Sequence, residues 1–315
     1  NLIFSDSTKG WIPLEDDVAA DEPVQPPTQK GIFGYGNSGS VTSLTNLVSS
    51  SGVVATDITG VGTAREGLAA ATYGGDKAIF GYGNSGSVTS LKNLVSNSGV
   101  VAADVSGVGT ARKELAAVGY GTDKAIFGYG STGSISSLTN LVSNSGVVAA
   151  DVSGVGSARI GLAAATYGGD KGIFAYGSTG GSNRLSISNL VNNSGTVASD
   201  VSGVGTARTQ LAACSFGGDK AIFGYGRPSS GLTAVTNKVS NSGVIAADVS
   251  GVGTVRRNLA ACSFGGDKGI FGYGYDSGKL SMSNLVSNSG TVASDVSGVG
   301  TARDALAAAG FSTSA

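Results

Sequence analysis

Thr63-Ala-Arg-Glu-Gly-Leu-Ala-Ala-Ala-Thr-Tyr73, then Gly74-Gly-Asp76, then Lys77-Ala-Ile-Phe-Gly-Tyr-Gly83, sets two short apolar runs on either side of a turn cluster. That pattern predicts a β-hairpin. Downstream, Ser87-Val-Thr-Ser-Leu-Lys-Asn-Leu-Val95 and Val100-Val-Ala-Ala-Asp-Val105 flank the turn signal Asn97-Ser-Gly99. Their β-branched content predicts a second hairpin. Ser106-Gly-Val-Gly109 then reads as a crossover, so one unit carries four predicted antiparallel strands. Thr63-Ala-Arg-Glu66 also fits a helix capping box. The equivalent of Glu66 is Lys113, Ile160, Thr209, Arg257 or Asp304 in the other copies, so the cap is not a property of the unit.

The unit recurs along almost the whole chain. Its Phe falls at Phe33, Phe80, Phe127, Phe174, Phe223 and Phe271, and its Arg at Arg65, Arg112, Arg159, Arg208, Arg256 and Arg303. A period of 40 to 50 residues with four short strands is the signature of a propeller blade. The small residues of Leu-Ala-Ala-Ala suit an innermost strand on a crowded axis, and the larger Phe, Tyr, Leu and Val fill the widening space outside it. The first unit starts at Lys30 without an Arg-x-x-Leu-Ala-Ala strand, and the last stops just after that strand, at Phe311. The fold expected is therefore all-β: a six-bladed β-propeller over residues 30–315, four strands per blade, closed by the C-terminal strand completing the first blade. An open β-solenoid or fibrous trimer is the alternative, and would carry polar caps.

Arg-x-x-Leu-Ala-Ala-x-x-Tyr-Gly-Gly followed by Lys-Ala-Ile-Phe-Gly-Tyr-Gly resembles a kelch-type repeat, and the likeness runs through all six units. It differs in having Gly-Tyr-Gly where kelch units have paired glycines, and Val or Thr (Val53, Val100, Val147, Thr196, Val244, Thr291) in place of an aromatic residue on the fourth strand. The resemblance implies a propeller and a binding role, and brings no catalytic residue. Uniform Gly-rich repeats behind a short acidic leader also resemble virion-associated proteins of tailed bacteriophages.

Formal net charge is −1, with six acids and one Lys in residues 1–29 and a mildly basic remainder. The bases are spread around the repeats without a cluster, so no nucleic-acid partner is expected. No apolar stretch reaches the length of a membrane span, so no membrane insertion is expected either. The chain has no His, the commonest general base and metal ligand. No catalytic residue, metal site or cofactor is assigned, and the protein reads as not an enzyme. Cys214 and Cys262 replace Ala or Val at one repeat position and read as small buried thiols.

Three sets of residues carry the site expectations. Asp57, Asp104, Asp151, Asp200, Asp248 and Asp295 each precede an Arg by eight residues (Arg65, Arg112, Arg159, Arg208, Arg256, Arg303), which suggests structural ion pairs fixing the crossovers. Length changes among the copies fall in the loop after Gly-Tyr-Gly, which makes Arg184, Arg227, Tyr275 and Asp276 a candidate ligand rim, with Tyr35, Tyr82, Tyr129, Tyr176, Tyr225 and Tyr273 as repeated aromatic candidates for a lectin-like surface. The leader, residues 1–29, is acidic, Pro-containing and extended, yet carries Leu2, Ile3, Phe4, Trp11, Ile12 and Leu14, more apolar surface than a free tail needs. It reads as an anchor for a protein partner, itself or another assembly component. The function expected is a structural or appendage protein on a virion surface or other extracellular assembly; the alternative is a lectin-like module binding carbohydrate, such as a surface glycan, or another ligand.

Overall fold

The computed structural model describes residues 28–314 in full and, before them, the backbone of two strands, β1 (Leu2–Asp6) and β2 (Gly10–Pro13). These two pair antiparallel, with Ile3 opposite Ile12 and Phe4 opposite Trp11. The side chains of Leu2, Ile3, Phe4, Trp11 and Ile12, and Leu14 altogether, lie outside the described residues.

Eighteen further strands form six three-stranded antiparallel sheets, with no helix among the described residues. Sheet one contains β3 (Lys30–Gly34) and β4 (Thr45–Val48), and sheet two β5 (Ala69–Tyr73), β6 (Lys77–Gly81) and β7 (Lys92–Val95). Sheet three is β8 (Ala116–Tyr120), β9 (Lys124–Gly128) and β10 (Thr139–Val142); sheet four is β11 (Ala163–Tyr167), β12 (Lys171–Ala175) and β13 (Ser188–Val191). Sheet five is β14 (Ala212–Phe216), β15 (Lys220–Gly224) and β16 (Thr236–Val239); sheet six is β17 (Ala260–Phe264), β18 (Lys268–Tyr275) and β19 (Lys279–Val286). The last strand, β20 (Ala307–Phe311), pairs with β3, setting Ala309 opposite Ile32 just as Ala71 is set opposite Ile79 in sheet two. Six such sheets fit a six-bladed propeller.

The expected fourth strand is not formed. In sheet two Val100–Val105 makes only isolated bridges, Val95 to Val101 and Lys92 to Val105. Between them the buried Asn93 intrudes, its Nδ2 donating to Ala102 O at 3.0 Å and to Asp104 Oδ1 at 2.9 Å. A side chain thus takes the place of ladder bonds, and the segment arches instead of continuing the sheet.

Each core cluster joins neighbouring sheets. Ala71, Ile79 and Tyr82 of sheet two pack with Ala125, Phe127 and Val142 of sheet three, and Phe33 and Val48 of sheet one with Cys262 and Ile270 of sheet six. In five of the six sheets the Phe also presses on a glycine of the sheet before, Ala175 taking that place before Phe223: a Cβ on Gly81 would meet Phe127 Cζ at 2.6 Å, and one on Gly272 would meet Phe33 Cζ at 2.7 Å.

Side-chain size is exchanged across these contacts. Ala71 and Ala165 share their clusters with Ala125 and Ala221 of the following sheet. Where the inner strand carries the larger Val118, Cys214 or Cys262, the facing residue is Gly172, Gly269 or Gly31, and an added Cβ there would lie 2.7, 2.4 or 2.6 Å from the larger side chain. Close packing leaves no other solution. At the hairpin-turn end, Gly74 N–H donates to Asp123 O, Gly121 to Asp170, Gly168 to Asp219, Gly217 to Asp267, Gly265 to Gln29 and Ser312 to Asp76, linking all six sheets in order.

Candidate functional site

Two kinds of polar position meet at the start of each inner strand: one kept in every copy, one different in nearly every copy. The kept one is a clamp. Arg65 is fully buried; its Nη2 donates to Asn93 Oδ1 at 2.6 Å, its Nη1 to Thr63 O at 3.0 Å and its Nε to Tyr82 O at 2.8 Å. Its guanidinium lies 4.3 Å from the ring centre of Tyr35 in the preceding sheet, a cation–π contact in a desolvated setting. Asp104 completes the clamp by accepting from Thr63 N–H at 2.9 Å and Thr63 Oγ1 at 2.6 Å.

The carboxylate near each Arg is therefore not the one eight residues before it. Arg65 faces Asp104 at 3.8 Å, Arg112 faces Asp151 at 3.6 Å, Arg159 faces Asp200 at 3.9 Å, and Arg303 faces Asp57 at 3.7 Å. Asp248 and Asp295 hold Thr206 and Thr254 beside Arg208 and Arg256 in the same manner. Burial works to raise the Asp57 carboxyl, but hydrogen bonds from Thr301 and Asn46 and the charge of Arg303 outweigh it and hold it below the usual carboxylate range. Gly62 must be glycine here, since a Cβ would sit 2.4 Å from Asp104 Oδ1.

The six repeated tyrosines are buried and not on a rim. Each sits at φ between 63° and 66°, sandwiched between an Arg and a Phe, and its hydroxyl donates to the crossover, as Tyr35 does to Val61 O at 3.0 Å. Burial pushes the Tyr35 phenol up to about 12, against the opposing charge of Arg65. They carry no lectin-like surface. Both cysteines are buried and free.

The varied positions are the two residues after each Arg. The second of these, Gly67, Glu114, Gly161, Gln210, Asn258 and Ala305, forms a cycle: Gly67 N–H donates to Ala305 O, Glu114 to Gly67, Gly161 to Glu114, Gln210 to Gly161, Asn258 to Gln210 and Ala305 to Asn258, at 2.7 to 3.0 Å. All six have left-handed backbone, φ 52° to 61°, a conformation that costs a side-chain-bearing residue about 1–2 kcal/mol. Gly67 and Gly161 avoid that cost; Glu114, Gln210, Asn258 and Ala305 do not. A central cavity of about 270 Å³ opens at this cycle, lined by these six residues, the Leu that follows each, and Glu66, Lys113 and Asp304.

The loops that vary in length lie beside this mouth. Backbone bridges join Glu66 to Asn84, Thr209 to Arg227 and Arg257 to Tyr275. Of the candidate rim, Arg227 and Tyr275 thus flank the mouth, and Arg257 lies 5.3 Å from the Tyr275 ring centre. Arg184 instead folds onto its own loop, Nη1 donating to Gly181 O at 3.0 Å, and Asp276 shapes its turn by donating N–H to Gly278 O.

The mouth is lopsided. On one side a chain of hydrogen bonds runs from Asn258 to Asp304 (3.0 Å), from Lys279 to Asp304 (2.6 Å) and to Asn37 (2.9 Å), and from Asn37 to Glu66 (2.8 Å), while Arg257 reaches Gln210 at 3.4 Å. On the other side Glu114 stands between Gly67 and Gly161 in the cycle. The sequence reading passed over these positions, although their variation between invariant neighbours was visible in the same comparison that set the capping box aside. No family model matches the chain, and no curated protein sequence does.

Proposed function

We propose that the chain is a non-enzymatic binding protein: a closed six-bladed propeller that takes a ligand at its central cavity and is tethered by its leader to a partner in a virion or other extracellular assembly. The observation that carries the binding role is where the copies diverge. Across six units the clamp, the aromatic sandwich and the apolar core are repeated nearly unchanged, while the residues lining the cavity mouth differ and several hold strained backbone. Four of the six mouth residues keep left-handed strain where glycine serves in the other two copies, which is typical of a site under functional demand.

Closure is supported by the two hydrogen-bond cycles and by the exchange of size between Cys262 and Gly31, which joins sheet six to sheet one. A chain without His, whose only thiols are buried, is poorly equipped for acid–base or nucleophilic chemistry. Kinship with kelch-type propellers rests on the Arg and small-residue strand, and the tether on the apolar composition of residues 1–14.

The test is native mass spectrometry of the full chain against a panel of amino acids, amines, monosaccharides and carboxylic acids, alongside Gly67→Asn. Asn tolerates the left-handed φ, and its Cβ would meet Glu114 N at an unstrained 3.5 Å while its amide fills the open side of the mouth. One saturable ligand per chain, lost in Gly67→Asn, is expected. No binding by any panel member, or undiminished binding by the variant, would overturn the reading.

A further inference from the structure

Charge pairing around the cavity is unequal. Asp304 is neutralised by Lys279, and Glu66 accepts from Asn37. Gln210 and Asn258 are engaged with Arg257 and Asp304. Lys113 and Glu114 also line the cavity, yet among the described residues neither side chain makes a hydrogen bond or an ion pair, with each other or with any neighbour. Both are half-buried. They are adjacent in the chain, opposite in charge and on the open side of the mouth, with glycine before and after Glu114 in the cycle.

The backbone makes Glu114 the more telling of the two. Its φ of 55° is one that the equivalent residues Gly67 and Gly161 adopt without a side chain to strain. Among the described residues nothing uses the Glu114 carboxylate in return, which leaves it available to a counterpart from outside. An unpaired carboxylate next to an unpaired ammonium is complementary to a molecule that carries both charges a short distance apart. At about 270 Å³ the cavity falls below the ~300–1,000 Å³ usual for larger ligands, so that molecule is small.

Building on the binding role above, we infer that the mouth is a site for a small zwitterion of the α-amino-acid class, its ammonium on Glu114 and its carboxylate on Lys113. The amides of Gln210 and Asn258, across the cavity, are placed to meet a short polar side chain. Six leucines behind the mouth limit how deep a longer one reaches. Charge-assisted hydrogen bonds at both ends provide the selectivity: a ligand with one charge leaves the other protein group unpaired in a partly desolvated place.

The test is a chemical-shift titration of the full chain with L-alanine and L-serine as probes, with ethylamine and acetate as single-charge controls. Expected are saturable shifts at Gly67, Glu114 and Gly161 with the amino acids, and binding at least about tenfold weaker for either control. Glu114→Gln and Lys113→Gln should each weaken amino-acid binding by about tenfold or more while leaving the rest of the spectrum in place. Glu114→Gly provides a check free of misfolding: it should abolish binding and raise the melting temperature, because it relieves the left-handed strain. Amino-acid binding unchanged in Glu114→Gln, or ethylamine binding as well as alanine, would overturn the assignment. If the panel above yields a sugar or carboxylic acid as the one ligand and no amino acid, the binding role stands and the zwitterion site fails; if nothing in the panel binds, both fail.

Discussion

Gly31 and Cys262 offer a quantitative test of how sheet one meets sheet six. The Gly31 backbone is extended, so a side chain is barred there by space alone: its Cβ would lie 2.6 Å from Cys262 Sγ, while the next contacts, Ser263 O and Val48 Cβ, stand at an ordinary 3.4 Å. Gly31→Ala should therefore destabilise by about 1–3 kcal/mol, as an added methyl does in a filled core. Cys262→Ala removes one buried atom and should cost about 1 kcal/mol. Together they recreate the Ala–Ala contact that the chain already uses between Ala71 and Ala125, so the double variant should lie within about 1 kcal/mol of the parent instead of showing the sum. Urea unfolding of the four proteins measures the cycle. Additive losses would mean that the two residues do not touch, which would refute the size-exchange argument and remove one support for closure.

Other outcomes follow from the same contacts. Arg208→Ala breaks bonds to Asn237, Tyr225 O and Thr206 O and the stack on Tyr176, and should cost about 3–5 kcal/mol in urea unfolding, with Arg208→Lys recovering only part because an ammonium cannot serve three directions. The carboxyls of Asp57, Asp104, Asp151, Asp200, Asp248 and Asp295 are all held below their ordinary value despite the opposing pull of burial. Their stabilisation is complete above the unfolded-state value, about pH 4, and is lost as pH falls through the lower folded values, so circular dichroism should show one steep acid transition below about pH 4, made shallower by Asp57→Asn and Asp151→Asn. Cys214 and Cys262, buried and with thiols pushed up by burial, should resist a thiol reagent at pH 8 in the folded protein and react fully in urea; fast labelling of the native chain would contradict their packing.

The sequence disclosed the repeat, the first hairpin of each unit and the pairing of β20 with β3, because period-2 apolar runs and turn glycines are readable signals. It overstated the fourth strand: Val100–Val105 has the β-branched composition of a strand, but the long-range intrusion of Asn93 decides its path. It also matched Asp57 with Arg65, eight residues on, whereas the sheet brings Asp57 to Arg303 across nearly the whole chain. Proximity along the chain misled because the residues between them form the crossover to the next sheet. The tyrosines had the composition of a binding rim, and only the stacking of Arg65 over Tyr35 shows why each is needed inside. The mouth was legible in principle. Glu66-Gly67, Lys113-Glu114, Ile160-Gly161, Thr209-Gln210, Arg257-Asn258 and Asp304-Ala305 differ between an invariant Arg and an invariant Leu, and variation so confined marks a place where the copies are free to specialise.

The proposed closure would make those six varied pairs a single site, and the bond from Gly67 N–H to Ala305 O is where the last strand meets the second sheet. A through-hydrogen-bond scalar coupling between the Gly67 nitrogen and the Ala305 carbonyl carbon, measured on deuterated protein, reports that bond directly. The account expects the coupling to be present and the Gly67 amide to be protected from exchange. An absent coupling with a freely exchanging Gly67 amide would mean that the array is open at this seam and that the six varied positions do not share a cavity.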